Sequence, residues 1–224
     1  LREGAIGITC QKISEAEAMV SEGGIEDVLI TYNILGKQKL DRLLALTKRV
    51  SVSVVADNMP CLVGLSQAFE KSGKKLDVLV ECDTGAKRCG VVSPEEALDL
   101  ANAIIRLPGI NFGGLMTYPP IGKSLEVNRL LQNTKELLEQ NDILVPVVSV
   151  GGSPDMWTAN NFSAATEYRV GTYIYNDRSL ISRGICEEKD CALTVLVTVI
   201  STPTILKVYS YEKLFLLKHC LELK

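Results

Sequence analysis

The chain has 224 residues, 46 % of them hydrophobic and 23 % charged, and a formal net charge of −3. This length suits one large α/β domain or one and a half smaller domains. The charge balance gives no reason to expect a nucleic acid or an anionic membrane as partner. The longest apolar run, 192–200, is too short to cross a bilayer, and no basic-then-apolar signal segment is present, so we expect a cytoplasmic protein.

In chain order, short apolar segments alternate with amphipathic helical patterns as far as residue 176. Seven strands are predicted, at residues 5–10, 27–32, 50–56, 76–82, 111–117, 145–150 and 166–170. The intervening helices are predicted to begin near residues 14, 37, 59, 94, 125 and 155. We expect Ser14 and Ser93 to cap the first and fourth of these helices.

Regular strand–helix alternation predicts a parallel sheet with right-handed crossovers. The fold we expect is a (β/α)8 TIM-type barrel that lacks its first strand, because the chain starts at Leu1 with what looks like a helix end. An open doubly wound sheet is the alternative. The first strand is not followed by G-x-G-x-x-G, so nothing supports a dinucleotide-binding fold.

The alternation stops after residue 176. A β-branched segment over 191–202 predicts a strand, and residues 205–224 read as an amphipathic helix. We therefore expect two domains: a barrel over 1–185, incomplete at its N-terminus, and the beginning of a truncated C-terminal β domain over 186–224 with an aberrant helical tail.

The cysteines and the histidine indicate no metal centre. Seven cysteines without C-x-x-C spacing argue against a disulfide framework and against a zinc finger. The single histidine, His219, stands beside Cys220, and this adjacent pair cannot hold a metal without further ligands.

If the strands close a barrel, the residues at their carboxyl ends converge at one mouth. They are Gln11, Tyr32, Asn33, Asp57, Asn58, Glu81, Asp83, Arg88, Tyr118, Gly151, Gly152, Ser153, Gly171, Thr172 and Tyr173. The last two strands both end in glycine beside a hydroxyl residue, which favours a phosphate cup, although either pair alone is more often a plain turn. Tyr118 is a candidate hydrogen-bond partner or a packing residue. Arg88 is a candidate cation for a phenolate or carboxylate, or a salt-bridge partner of Glu81 or Asp83.

Several motifs together resemble the D-threonine aldolase and D-serine dehydratase family of pyridoxal-phosphate enzymes with an alanine-racemase-like barrel. They span about residues 1–203 and include the segments 7–12, 15–17, 27–30, 81–85, 88–91 and 151–153. The resemblance implies an N-terminal barrel that holds pyridoxal 5'-phosphate and a C-terminal β domain that completes the active site across a homodimer.

By resemblance, Arg88 lies near the cofactor's 3-hydroxyl, Tyr118 faces the pyridine nitrogen and Gln11 lies beside the ring. Gly151, Gly152, Ser153, Gly171 and Thr172 match the phosphate cup. The family's imine lysine would lie upstream of Leu1, so no catalytic residue is assigned; neither Lys12 nor Lys87 fits that role. The family's divalent metal is held by a His-x-Asp or His-x-Cys pair, and His219-Cys220 lacks that spacing.

The function implied is a lyase acting on small D-3-hydroxy amino acids, either as an aldolase or as a dehydratase, and inactive as the chain stands. Two alternatives remain: a non-catalytic pyridoxal-phosphate-binding protein and an amino-acid racemase.

Overall fold

The computed structural model describes residues 4–193, 199–204 and 207–210, with side chains described up to residue 193. Contacts between Cα atoms divide the chain into two compact units, Leu1–Tyr173 and Ile174–Lys224. The domain boundary that we expect at residue 185 stays a prediction.

The first unit is a parallel sheet of seven strands whose spatial order is the order of the sequence. The strands are β1 Ile8–Cys10, β2 Asp27–Ile30, β3 Ser51–Ala56, β4 Leu76–Glu81, β5 Ile110–Met116, β6 Val147–Gly151 and β7 Glu167–Arg169. A doubly wound sheet reverses its strand order at a switch point, whereas this sheet never does. The TIM-type α/β barrel is therefore confirmed.

A helix follows each of the first five strands. The helices are α1 Ile13–Ser21, α2 Lys37–Leu46, α3 Met59–Glu70, α4 Pro94–Arg106 and α5 Ser124–Gln140. A 3-10 segment, Ser153–Asn161, connects β6 to β7 where we expected a short α-helix. A second 3-10 turn, Thr172–Ile174, follows β7.

Side-chain capping explains where α4 begins but not where α1 begins. The Ser93 hydroxyl accepts the Glu96 N–H at 3.2 Å at the start of α4, which confirms the predicted cap. The Ser14 cap is wrong, because α1 begins one residue earlier, at Ile13, and has no side-chain cap. The Glu15 carboxylate reaches back to the Gln11 N–H at 2.8 Å instead.

Two apolar clusters lie on opposite sides of the sheet. The larger one fills the space between strands and helices. The smaller one lies on the other side of the strands and consists of Leu29, Val55, Leu79 and Met116, with Val147 packed against it. Strand side chains alternate between faces, so residues two positions farther along each strand face the same side, toward the carboxyl ends. Within the strands these are Glu81 and Ser149, and the same spacing places Thr31, Asp57 and Tyr118 just beyond the ends of theirs. These five residues form a polar layer on the carboxyl-end side of the smaller apolar cluster.

The second unit contains α6, Arg178–Ser182, a 3-10 turn at Glu188–Asp190, and an antiparallel hairpin of β8, Val199–Thr204, and β9, Lys207–Ser210. The strand expected over 191–202 is present from Val199, and residues 194–198 lie outside the described residues. Lys207–Ser210 is a strand rather than part of the helix expected over 205–224, because Val208 and Tyr209 favour extended backbone beside β8. Residues 205–206 and 211–224 lie outside the described residues.

None of the helices in the described part of the chain is long and apolar enough to cross a membrane.

Candidate active site

The side chains of Arg88 and Tyr118 form a cation–π stack at the carboxyl ends of β4 and β5. The guanidinium carbon of Arg88 lies 4.5 Å from the centroid of the Tyr118 ring. Among the described residues, no ion pair joins Arg88 to Glu81 or Asp83. The salt-bridge alternative for Arg88 is therefore not what the structure shows, and none of the described residues accepts a hydrogen bond from its guanidinium.

The loop after β4 holds Arg88 in this position. The Asp83 carboxylate accepts the N–H groups of Gly85 at 2.9 Å and Lys87 at 3.0 Å. The loop then returns to β4, where the Val91 N–H donates to the Glu81 carbonyl at 2.9 Å. Gly90, at φ +122°, closes the loop so tightly that a Cβ there would lie 2.4 Å from the Asp83 nitrogen. The loop is closed by short contacts, so the Arg88 backbone has little freedom.

Tyr118 also lies against the first glycine loop. Gly152 adopts φ +150°, a conformation that favours glycine, and a Cβ there would lie 3.4 Å from three atoms of the tyrosine, including its hydroxyl oxygen. The Tyr168 hydroxyl donates to the Gly152 carbonyl at 2.9 Å. Burial raises the pKa of Tyr168 to about 12, which keeps this phenol protonated as a donor.

The buried Ser153 joins the two predicted glycine loops. Its hydroxyl oxygen accepts the N–H groups of Gly171 and Tyr173, both at 3.3 Å. Ser153 and Thr172 each open a 3-10 turn, and the first N–H groups of a helical turn have no partner within it. A Cβ on Gly171 would meet nothing within 4 Å. The two loops therefore form one cradle with backbone donors and open space.

Arg169, at the end of β7, contacts the polar layer through Ser149 and is a residue that we did not predict for the site. Its guanidinium donates to the Thr117 carbonyl at 2.6 Å and to the Ser149 hydroxyl at 2.8 Å, and the Ser149 hydroxyl in turn donates to the Glu167 carboxylate. Burial lowers the pKa of Arg169 to about 10, so it remains a cation at neutral pH. The signal was present in β7, where charged residues at 167 and 169 alternate with Tyr168 on a strand.

Glu81 lies in the same layer with a titration range close to neutral pH. Burial first, and then the charge of Asp57, raise the pKa of Glu81 to about 7, while Arg88 and Arg169 oppose that rise. Asp57 is itself held by the Asn33 amide at 2.8 Å and the Gly90 N–H at 3.0 Å. The mouth therefore combines fixed cations with a carboxyl group that exchanges a proton near pH 7.

The structure places Gln11 beside two other predicted mouth residues, Tyr32 and Asn33. Gln11 lines a cavity of about 410 Å³ between the ends of β1 and β2 and the helices α1 and α2. The other residues that line it are Lys12, Ile13, Ser14, Ile30, Tyr32, Asn33, Ile34, Lys39 and Arg42. No other predicted cofactor residue lines this cavity, so the position of Gln11 beside the same ring stays a prediction. No cluster of three or more metal-ligating side chains occurs among the described residues.

The amino-acid sequence is similar to those of several known proteins. A family profile described as "Alanine racemase, N-terminal domain" matches residues 1–179. The chain is 33 % identical over 186 residues to a 3-hydroxy-D-aspartate aldolase of Paracoccus denitrificans (strain Pd 1222), covering 78 % of this chain and 48 % of the relative. It is 34 % identical over 185 residues to a D-threonine aldolase of an Arthrobacter species, with the same coverage of 78 % and 48 %.

Among solved structures, the D-threonine aldolase from Filomicrobium marinum matches with a TM-score of 0.78 and 27 % identity. That match covers 92 % of this chain and 60 % of the other. The chain spans about half the length of the curated relatives it matches.

Proposed function

Because the chain belongs to the alanine racemase N-terminal domain family, we propose that its first unit binds pyridoxal 5'-phosphate as part of a lyase that acts on D-3-hydroxy amino acids. The observation that carries the proposal is the juxtaposition of Arg88, Tyr118 and Gly152. The names of the relatives, D-threonine aldolase and 3-hydroxy-D-aspartate aldolase, support the substrate class.

The cradle fits a flat ring that carries a phosphate. Gly152 leaves room beside the Tyr118 ring that a larger side chain would fill, and Gly171 faces open space. Besides the Gly171 and Tyr173 N–H groups, which donate to Ser153, the turns that begin at Ser153 and Thr172 have backbone N–H donors suited to an anion. We assign the phosphate to Gly151, Gly152, Ser153, Gly171 and Thr172. We assign the ring to Arg88, Tyr118 and, as predicted from the sequence, Gln11.

Pyridoxal phosphate, when bound, supplies an electron sink for the negative charge that develops on the substrate's α-carbon. The protein's residues would orient the cofactor ring and tune its electrostatic surroundings. Arg88 donates hydrogen bonds from a fixed plane, because its stack on Tyr118 restrains the guanidinium. Tyr118 would offer its hydroxyl group to a facing ring nitrogen, as the family resemblance implies.

Glu81 and Arg169 act on the electrostatics of the mouth. Arg169 is fixed to Thr117 and Ser149 and would add a positive charge to the site that holds the cofactor. Glu81 holds or releases a proton near neutral pH. Within this proposal, the metal ion and the homodimer of the complete enzyme stay predictions, as does the absence of turnover by the chain alone.

A binding titration tests the cofactor site. Pyridoxal phosphate is added to the purified chain, and the 31P resonance and the absorbance of the cofactor are followed. We expect saturable binding that Arg88→Ala and Gly152→Ala both weaken, while Arg106→Ala, at the exposed end of α4, leaves it unchanged. Equal binding by all four proteins would refute the proposed site.

Because we predict no turnover by the chain alone, product analysis of the complete enzyme separates the reactions within the proposal. An aldolase releases an aldehyde from a D-3-hydroxy amino acid, whereas a dehydratase releases a 2-oxo acid and ammonia. A racemase yields the L-isomer instead. A non-catalytic cofactor carrier binds pyridoxal phosphate in the titration and gives none of these products.

A further inference from the structure

The carboxylate of Asp57, directly after β3, accepts three N–H groups from different parts of the chain, and the proposed function gives it no role. One oxygen accepts the side-chain amides of Asn33 at 2.8 Å and Asn58 at 2.6 Å. The other oxygen accepts the backbone N–H of Gly90 at 3.0 Å. None of the ion pairs among the described residues includes Asp57, so within that part of the chain N–H donors satisfy its charge.

The two side-chain amides fix the Asp57 carboxylate relative to the barrel. Asn33 follows β2, and its amide oxygen accepts the Asp57 N–H at 3.4 Å, so these two residues bond in both directions. Asn58 is the N-cap of α3, where its amide oxygen accepts the Cys61 N–H at 3.0 Å. Since both donors are attached to regular elements of the barrel, the orientation of the carboxylate is set by the barrel and not by the loop after β4.

The bond to Gly90 holds the far end of the loop that carries Arg88. Gly90 lies two residues after Arg88. On the near side the loop is held from within, since the Asp83 carboxylate accepts the Lys87 N–H at 3.0 Å, one residue before Arg88. The bond from Gly90 to Asp57 is different, because it joins the loop to a neighbouring strand end. The backbone at Arg88 is therefore held on both sides, and the far side depends on Asp57.

The Arg88 side chain depends on this backbone for its direction. Arg88 is exposed, and the contact that the structure gives its guanidinium is the stack on Tyr118 at 4.5 Å. A cation–π contact at an exposed site is weak, and an arginine side chain has many rotamers to lose. The stack is therefore populated when the loop directs the side chain toward the ring, and less so when the loop is free to move.

We propose that Asp57 is a positioning residue for Arg88. Its carboxylate fixes the Gly90 end of the loop after β4, and the loop then directs the guanidinium onto the ring of Tyr118. Asp57 itself does not contact the cofactor in this proposal. Its effect on pyridoxal-phosphate affinity rests on the proposed function, because that effect requires the cofactor to contact Arg88. Its effect on the position of Arg88 in the cofactor-free chain does not.

The sign of the affinity change separates positioning from a simple charge effect. The phosphate of the cofactor is an anion, so a negative charge at the mouth disfavours its binding. If Asp57 acted by charge alone, Asp57→Asn would strengthen binding. If Asp57 positions Arg88, the same change weakens binding, because the amide nitrogen of asparagine then faces at least one of the three N–H donors and that bond is lost.

The position of Arg88 is measured first, by NMR of the cofactor-free chain. Protons above the face of an aromatic ring resonate upfield, so the side-chain protons of Arg88 report its stack on Tyr118. We expect Asp57→Asn and Asn33→Ala both to move these resonances toward those of an unstacked arginine, the second variant with the charge of Asp57 still present. Asp41→Asn, the same chemical change at an exposed ion pair of α2, should leave them unchanged. Unchanged Arg88 resonances in both variants would overturn the proposal.

Cofactor affinity is measured next, by the 31P titration in two backgrounds. In the native chain we expect Asp57→Asn to weaken pyridoxal-phosphate binding about threefold, equivalent to one hydrogen bond. In an Arg88→Ala background we expect no further loss, because a residue that acts through another has no effect once the other is removed. Tighter binding, or an equal loss in both backgrounds, would overturn the proposal. A native chain that binds no pyridoxal phosphate would refute the proposed function instead, and the Arg88 resonances would then decide whether Asp57 positions Arg88.

Discussion

The guanidinium carbon of Arg88 lies 4.5 Å from the ring centroid of Tyr118, although the two residues follow different strands of the sheet. The same tyrosine lies beside Gly152 at the end of a third strand. Three strand ends therefore meet around one aromatic ring. This is the arrangement in which a parallel barrel places its ligands, and it explains why the proposed cofactor site lies here.

Arg88→Ala is expected to weaken pyridoxal-phosphate binding about tenfold, equivalent to about 1.4 kcal/mol. The loss reflects both the charge and the stacked plane above Tyr118. Arg88→Lys should recover only part of the affinity, because an ammonium group lacks the planar fork. The 31P titration measures both variants. Full recovery by lysine would show that charge alone matters.

Gly152→Ala is expected to lower both stability and cofactor affinity. The conformation at φ +150° disfavours a side chain by about 1–3 kcal/mol, and the added methyl group enters the space beside Tyr118. Gly122→Ala is the matched control, because Gly122 also has a positive φ, +74°, but faces open space. Both variants should unfold at lower urea concentrations, and only Gly152→Ala should lose binding. Loss of binding in both would mean that the effect is general instability.

The titration of Glu81 should make the folded chain less stable as pH rises from about 4.5 to about 7. The pKa of Glu81 is raised in the folded state, from 4.5 to about 7, so over this range the folded chain binds more protons than the unfolded chain. Full ionisation of Glu81 lowers the free energy of unfolding by at most about 3 kcal/mol. Urea unfolding at pH 5 and pH 7.5 measures it, and Glu81→Gln should remove most of the difference. An unchanged pH dependence in the variant would contradict the assignment.

Ser93→Ala is expected to destabilise the chain by about 1 kcal/mol, because the Glu96 N–H at the start of α4 loses its acceptor. Ser14→Ala is the control, since Ser14 lies within the first turn of α1 and caps nothing. We expect its effect to stay below about 0.5 kcal/mol. Chemical unfolding measures the free energy of unfolding of both variants. Similar losses of stability in the two would mean that Ser14 also caps its helix.

Much of the fold was predictable because its signals are local. The apolar run before Glu81, the cap at Ser93 and the spacing of the seven strands depend on residues close together in the chain. The burial of one face of a strand depends on residues within that strand. The capping of the first N–H groups of a helix depends on residues within one turn. The sequence alone therefore determined the strand–helix order, the barrel class and, apart from Arg169, the strand-end residues from which we build the site.

The contacts within that set were decided only by the tertiary structure. Whether Arg88 pairs with a carboxylate or stacks on Tyr118 depends on how the loop after β4 closes onto Gly90. The bonds from Arg169 to Thr117 and Ser149 join residues far apart in the chain, and the cavity that Gln11 lines also brings together residues from separate elements, including Ile30, Tyr32 and Arg42. Such contacts depend on sheet register and loop closure, which sum many weak interactions over the whole unit, so no local pattern encodes them.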